Sequence, residues 1–108
     1  MNLIKKDRII DLVKEMVSIP STTNKEGAMS DWTNDKLMAL GFEVRRPPVE
    51  ESGDTIVGWL DAPGPSMMLN FHMDTFDAIR GWDTDPFKPV VKEGKIYGRA
   101  RMSTVTLF

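Results

Sequence analysis

The chain has no cysteine and only one histidine among its 108 residues. Without cysteine it can form no disulfide, no thiolate nucleophile and no cysteine-ligated zinc site. A single histidine also excludes every metal site that takes two histidines from one chain, including that of the His-Glu-x-x-His zinc proteases. These two absences exclude several classes of enzyme before any motif is considered.

The sequence also lacks a surplus of basic charge and a long apolar run. It carries 14 Lys and Arg against 16 Asp and Glu, whereas proteins that bind nucleic acids usually have a basic surplus. No segment approaches the roughly 20 apolar residues that span a bilayer, and no signal peptide is predicted. We expect a cytoplasmic protein of one domain that binds neither nucleic acid nor membrane.

The first forty residues have the periodicity of two amphipathic helices. Apolar residues recur at helical spacing over residues 4 to 17, and Pro20 ends this pattern because it has no amide donor. The polar loop 21–24 follows and offers several N-caps. A second helix is predicted from about Lys25 to Leu40, and Gly41 stands where a left-handed C-terminal cap is expected.

The pattern then changes to one that is typical of strands. Strands are predicted over 42–45 and 55–60, and a hairpin over 89–97 with Glu93-Gly94 at its turn. The mostly apolar run 67–71 predicts a strand that is buried on both faces. Two helices followed by four or five strands indicate an α/β fold with a mixed sheet.

A short motif with chemical content lies at the end of the apolar run. His72 and Asp74 are two residues apart, which in extended backbone places both side chains on one face. A metal-ligating histidine commonly donates its second ring N–H to a carboxylate, which fixes the tautomer. Open α/β sheets bind ligands at such strand ends. The spacing alone is common by chance, and a surface or hydrogen-bonded histidine is the more frequent outcome.

Further motifs accompany this pair in a fixed order. They are Val17-Ser18-Ile19-Pro20-Ser21, His72-Met73-Asp74-Thr75, Gly81-Trp82, Asp85-Pro86-Phe87 and Glu93-Gly94-Lys95-Ile96-Tyr97-Gly98-Arg99. From about Ile9 to Arg99 the series resembles the N-terminal portion of the co-catalytic zinc metallopeptidases and deacylases. That family includes acetylornithine deacetylase, succinyl-diaminopimelate desuccinylase, aminoacylase and the glutamate carboxypeptidases.

The resemblance implies part of a three-layer catalytic domain that hydrolyses amide bonds in N-acyl amino acids or peptides. His72 matches a zinc ligand, and Asp74 matches the catalytic carboxylate that orients and polarises that histidine. In the family two zinc ions share a bridging aspartate and a water, and a glutamate acts as general base. Ungapped matching places Ser103 at the position of the bridging aspartate. Alternatively, a glycine and that aspartate are both missing, which leaves 100–102 as remnants.

The sequence departs from the pattern of the family after Arg99, and this departure bears on activity. The last acidic residue is Glu93, and the family's general base, remaining ligands and dimerisation domain would lie beyond Phe108. Because a catalytic zinc typically has three protein ligands, we expect a truncated or frameshifted copy that is inactive alone. The alternative is a non-catalytic remnant that serves in association. Uncovered strands and apolar patches would favour self-association.

Two other interpretations concern the loop and the serines. Trp82, Asp85 and Phe87 could line the approach of a substrate, although a loop that packs its aromatic rings on the sheet is favoured. A serine nucleophile served by His72 is the other interpretation, and no nucleophile-elbow motif supports it.

Overall fold

Two helices and four short strands form the fold over residues 3–48, 55–75 and 85–98, which are the residues that the computed structural model describes. The elements are α1 (Lys6–Ser18), α2 (Gly27–Ala39), β1 (Glu43–Arg45), β2 (Val57–Trp59), β3 (Val90–Lys92) and β4 (Lys95–Tyr97). Strand β1 pairs with β2 and β3 pairs with β4, both antiparallel. The predicted mixed α/β character is confirmed.

The arrangement of the strands differs from the mixed sheet that the sequence predicts. The described strands form two separate sheets of two strands each. Strand periodicity predicts which segments are extended, but pairing between distant strands depends on tertiary contacts that a local pattern does not contain. The two antiparallel pairs are therefore what the local patterns produce.

The apolar run 67–71 is the clearest departure from the sequence-based expectation. It belongs to neither sheet, and the prediction of a strand buried on both faces is wrong. Met67 is 70% exposed, and Phe71 is 56% exposed. An apolar run becomes a buried strand only where other elements cover both of its faces, and the described residues do not cover this one.

Helix α2 ends as its sequence predicts. Gly41 has a φ of 87°, and its N–H donates to the Met38 carbonyl at 3.0 Å while the Phe42 N–H donates to the Leu37 carbonyl at 3.0 Å. This pair of bonds is a Schellman motif, which satisfies two carbonyls at the end of the helix. The motif turns the chain directly into β1.

The hairpin of β3 and β4 also forms where it is predicted. Its turn residues Glu93 and Gly94 have φ values of 52° and 72°, and Lys92 pairs with Lys95. Positive φ at both central positions matches the right-handed twist of the flanking strands.

Glu15 joins the two helices on their exposed side. Its Oε2 accepts a hydrogen bond from Trp32 Nε1 at 3.0 Å and lies 3.0 Å from Lys36 Nζ. These contacts, that with Lys36 first and that with Trp32 second, lower the pKa of Glu15 below its usual value. The ammonium of Lys36 also lies 5.5 Å from the centroid of the Trp32 ring.

The buried side chains cluster between the end of α1 and the start of α2. Within the described ranges the buried residues are Val17, Ser21, Glu26, Met29 and Ser30. This small core holds the loop 19–26 in place, and that loop is bonded to the segment that ends at Thr75. Among the described residues, no helix is both long enough and apolar enough to cross a membrane.

Candidate functional site

His72 and Asp74 lie in direct contact. The imidazole Nδ1 is 3.2 Å from Oδ1 of the carboxylate, and the two side chains are 36% and 26% exposed. Both groups are therefore reachable from solvent while their mutual contact is kept. A neutral imidazole that gives its Nδ1–H to this carboxylate keeps the lone pair of Nε2 for another partner.

Met73 shows that the chain alternates here as an extended segment does. Its sulfur lies 3.8 Å from Thr33 Oγ1 and 4.0 Å from Ser30 Oγ, both on α2. The side chain between His72 and Asp74 thus packs toward α2, and its two neighbours share the other face. The segment places the pair on one face, as the spacing predicts, without belonging to a regular strand.

The second oxygen of Asp74 also has a donor. Thr23 Oγ1 donates to Asp74 Oδ2 at 3.0 Å, although the two residues are 51 positions apart. The carboxylate is thus held from one side by the imidazole and from the other by a hydroxyl. Sequence reasoning missed Thr23, because no local signal relates a loop residue to a partner so far along the chain.

Backbone bonds fix the loop that carries Thr23. The Thr75 N–H donates to the Ser21 carbonyl at 2.7 Å, and Thr22 and Thr75 form a parallel bridge. The Lys25 N–H then donates to the Thr22 carbonyl at 2.8 Å. The loop is therefore bonded to the segment that carries Asp74 on one side of Thr23 and closed by a turn on the other.

Glu26 stabilises the far end of the same loop. Its Oε1 accepts the N–H of Asn24 at 3.0 Å, where Asn24 has a φ of 65°. The sequence predicts an N-cap for α2 in the loop 21–24. In the structure the residue before α2 is Glu26, and its side chain caps no helix amide. Glu26 is 8% exposed, and its Oε2 has no hydrogen-bond partner in the described part of the chain.

The pair fits one ligand of a metal site and not a complete site. No three side chains of His, Cys, Asp or Glu within residues 3–48, 55–75 and 85–98 come together in a way that could hold a metal ion. A catalytic zinc typically takes three protein ligands. The described residues therefore supply His72 with an orienting carboxylate, and a complete zinc site needs further ligands.

The described residues among the others that the sequence singled out make local contacts of their own. Asp85 makes a turn, since its Oδ1 accepts the Phe87 N–H at 3.0 Å. Ser18 is exposed, and its Oγ donates to the Glu15 carbonyl at 2.7 Å, whereas Ser21 is 1% exposed. Trp82, Arg99, Ser103 and the remnant 100–102 lie outside the described residues.

Two motifs that are distant in the sequence meet at Val17. A Cβ built on Gly98 would lie 2.6 Å from Val17 Cγ1 and 3.5 Å from Pro89 Cα. The glycine that follows β4 therefore lets the backbone approach the end of α1 closely. The segment after β4 and the helix-to-loop segment are parts of one packed unit.

Comparison with known proteins shows relatives that are several times longer than this chain. The succinyl-diaminopimelate desuccinylase of Buchnera aphidicola subsp. Acyrthosiphon pisum is 33% identical over 94 residues, which cover 84% of this chain and 24% of the relative. That of Methylobacterium nodulans is 33% identical over 94 residues, 82% of this chain and 24% of the relative. The cysteinylglycine-S-conjugate dipeptidase of Corynebacterium striatum is 29% identical over 104 residues, 87% and 23%.

No family model matches the chain, and no solved structure matches it. The chain spans about a quarter of the length of the curated relatives that it matches. The family resemblance of its motifs is confirmed over that quarter: the chain is homologous, in part, to the succinyl-diaminopimelate desuccinylases and related peptidases.

Proposed function

We propose that this chain supplies the first zinc ligand of an amide hydrolase, with His72 as the ligand and Asp74 as the carboxylate that orients it. The observation that carries the proposal is the 3.2 Å contact between Nδ1 and Oδ1, in a segment homologous to desuccinylases and a dipeptidase. Zinc suits a neutral imidazole whose other nitrogen is held by a carboxylate. The substrate would be an N-acyl amino acid or a short peptide.

Each of the two residues has a separate task in this proposal. Asp74 accepts the Nδ1–H of His72 and so keeps the tautomer that leaves Nε2 free to ligate. When bound, zinc supplies a Lewis acid that polarises an amide carbonyl and lowers the pKa of a water. The described helices and strands would then be part of a larger three-layer catalytic domain.

The proposal includes the expectation that the 108-residue chain does not hydrolyse amides by itself. Its only histidine is His72, and it has no acidic residue after Glu93. The remaining ligands and the general base would have to come from another polypeptide segment. Hydrolysis of N-succinyl amino acids or dipeptides by the purified chain, abolished by a chelator, would contradict this expectation.

Zinc titration tests the proposed ligand. The chain should bind Zn²⁺ weakly, and in the wild type this binding should perturb the ring signals of His72 in NMR spectra. His72→Ala should abolish the binding. Asp85→Asn is the matched control, because it removes a carboxylate that is engaged in a separate turn. Equal zinc affinity in the wild type and in His72→Ala would exclude His72 as the ligand.

The alternative proposal is a non-catalytic module that acts by association. The exposed apolar run 67–71 favours it, since Met67, Met68, Leu69 and Phe71 are each 48–70% exposed. Contiguous exposed apolar surface is typical of an interface. Self-association without any effect of zinc or of His72→Ala would support this alternative over the hydrolase.

A further inference from the structure

Thr23, in the loop between the helices, contacts the His72–Asp74 pair through a side-chain hydrogen bond. Its Oγ1 lies 3.0 Å from Asp74 Oδ2, on the opposite oxygen from the one that faces the imidazole. A carboxylate bonded at one oxygen alone can rotate about its last side-chain torsion, whereas bonds at both oxygens fix its plane. The orientation of Asp74 therefore depends on a residue of the loop between the helices.

The loop is built to hold that hydroxyl in place. The bridge between Thr22 and Thr75 sets the register between the loop and the segment of Asp74. Thr23 is the next residue after the bridge, and its β-branched side chain has restricted χ1 freedom. The buried Glu26 then stabilises the positive φ of Asn24 through the backbone N–H. The position of Thr23 relative to Asp74 thus follows from backbone bonds on both sides.

We infer that Thr23 is a positioning residue of the candidate metal site, which acts through Asp74 on the tautomer of His72. This inference rests on the proposed function for its use, since the Nδ1–H tautomer is the one that leaves Nε2 for a metal ion. With Thr23 in place, Asp74 faces Nδ1 and favours that tautomer. Without the hydroxyl, Asp74 loses the hydrogen bond at Oδ2 that helps to fix the plane of its carboxylate.

The ring nitrogens of His72 report this effect without any metal. Because the chain has a single histidine, ¹H–¹⁵N spectra of the neutral imidazole give one unambiguous set of signals. Thr23→Val should lower the Nδ1–H fraction. Thr23→Ser keeps the hydroxyl and should restore it. Thr55→Val, a matched change at an exposed threonine, should leave the fraction unchanged.

A zinc arm separates this inference from the proposed function. With Zn²⁺ as the probe, Thr23→Val should weaken the affinity about 3–10-fold, the size expected for the loss of one ordinary hydrogen bond, and Thr23→Ser should not. An unchanged tautomer in Thr23→Val, in a chain where Asp74→Ala does change it, overturns the role of Thr23 and leaves His72 as the ligand. A tautomer that shifts in Thr23→Val, in a chain that binds no zinc, supports the role of Thr23 and contradicts the proposed function.

A general disturbance of the fold in Thr23→Val would also change the tautomer of His72, and it is tested separately. Thr23 is exposed, so Thr23→Val removes the hydroxyl without opening a cavity. Backbone amide signals of α1 and α2 should therefore stay in place. Thr23→Ala serves as the second variant, and a tautomer that returns to the wild-type fraction in Thr23→Ala as well as in Thr23→Ser would overturn the inference.

Discussion

Trp32 Nε1 donates a hydrogen bond to Oε2 of Glu15 at 3.0 Å, and this contact joins α2 to α1. Val17 and Met29, one near the end of α1 and one near the start of α2, are the fully buried apolar side chains within the described residues. Lys36 contacts the same oxygen. An exposed contact of this kind contributes modestly to stability, and its contribution depends on the charge of Glu15.

The first prediction concerns the pH dependence of that contribution. The pKa of Glu15 is lowered in the folded chain, so ionised Glu15 stabilises the fold above the pKa of an unfolded glutamate, and this stabilisation is lost as the pH falls through the lower folded value. The urea midpoint of the wild type should exceed that of Glu15→Gln at pH 7. The two midpoints should converge below about pH 4.

The control for this prediction is Asp11→Asn, which removes a negative charge from the exposed side of the same helix. It separates a general effect of net charge from the contact with Trp32 and Lys36. The same convergence in both variants would contradict a specific role for Glu15.

The second prediction concerns Gly41, at the end of α2. Its φ of 87° is a conformation that other residues rarely adopt, and a Cβ there would meet no atom within 4 Å. The cost of Gly41→Ala is therefore conformational, about 1–2 kcal/mol of unfolding free energy. Gly27→Ala is the matched control, because Gly27 is also free of neighbours within 4 Å and has no positive φ. Equal effects of the two substitutions in urea titrations would show that the left-handed cap contributes nothing.

These examples explain why part of the fold could be predicted from the sequence. The cap at Gly41 and the turn at Glu93-Gly94 depend on a few adjacent residues, and both form where the sequence places them. The helices also form, with ends that differ by one or two residues from the predictions, which is the usual uncertainty of helix boundaries. Local periodicity and turn chemistry are sufficient for such elements.

The failures concern contacts between distant parts of the chain. The run 67–71 has the composition of a central strand, but a central strand exists only where partners pair with it and cover it. Thr23 contacts Asp74 across 51 positions, and no spacing rule relates them. In the site, the spacing of His72 and Asp74 predicted one shared face, while the residue that orients the carboxylate could not be inferred from local sequence.

The third prediction concerns the exposed apolar run. Met67 and Met68 are 70% and 57% exposed, and we expect the chain to self-associate through this run at micromolar concentrations. Met67→Glu and Met68→Glu should each shift the chain toward monomer in sedimentation velocity experiments. Met38→Glu is the control, because Met38 is 60% exposed on α2. A monomeric wild type over the micromolar range, or an equal effect of all three substitutions, would contradict this interface.

The last prediction tests the packing of two distant motifs against each other. A methyl group added at Gly98 would lie 2.6 Å from Val17 Cγ1, closer than any real Cβ contact. The Pro89 Cα and Cβ would also lie 3.5 Å from the new methyl group, which is ordinary van der Waals contact. Gly98→Ala should therefore destabilise the fold by about 1–3 kcal/mol, the usual cost of overpacking.

The double variant provides the control for that cost. Val17→Ala removes the methyl group that the new side chain would strike, so Gly98→Ala should cost less in a Val17→Ala background than in the wild type. The resulting non-additivity in urea unfolding measures the direct contact. Additive effects would mean that the segment after β4 does not pack on α1. The loop that carries Thr23 follows α1 directly, and it would then lack the support of this packing.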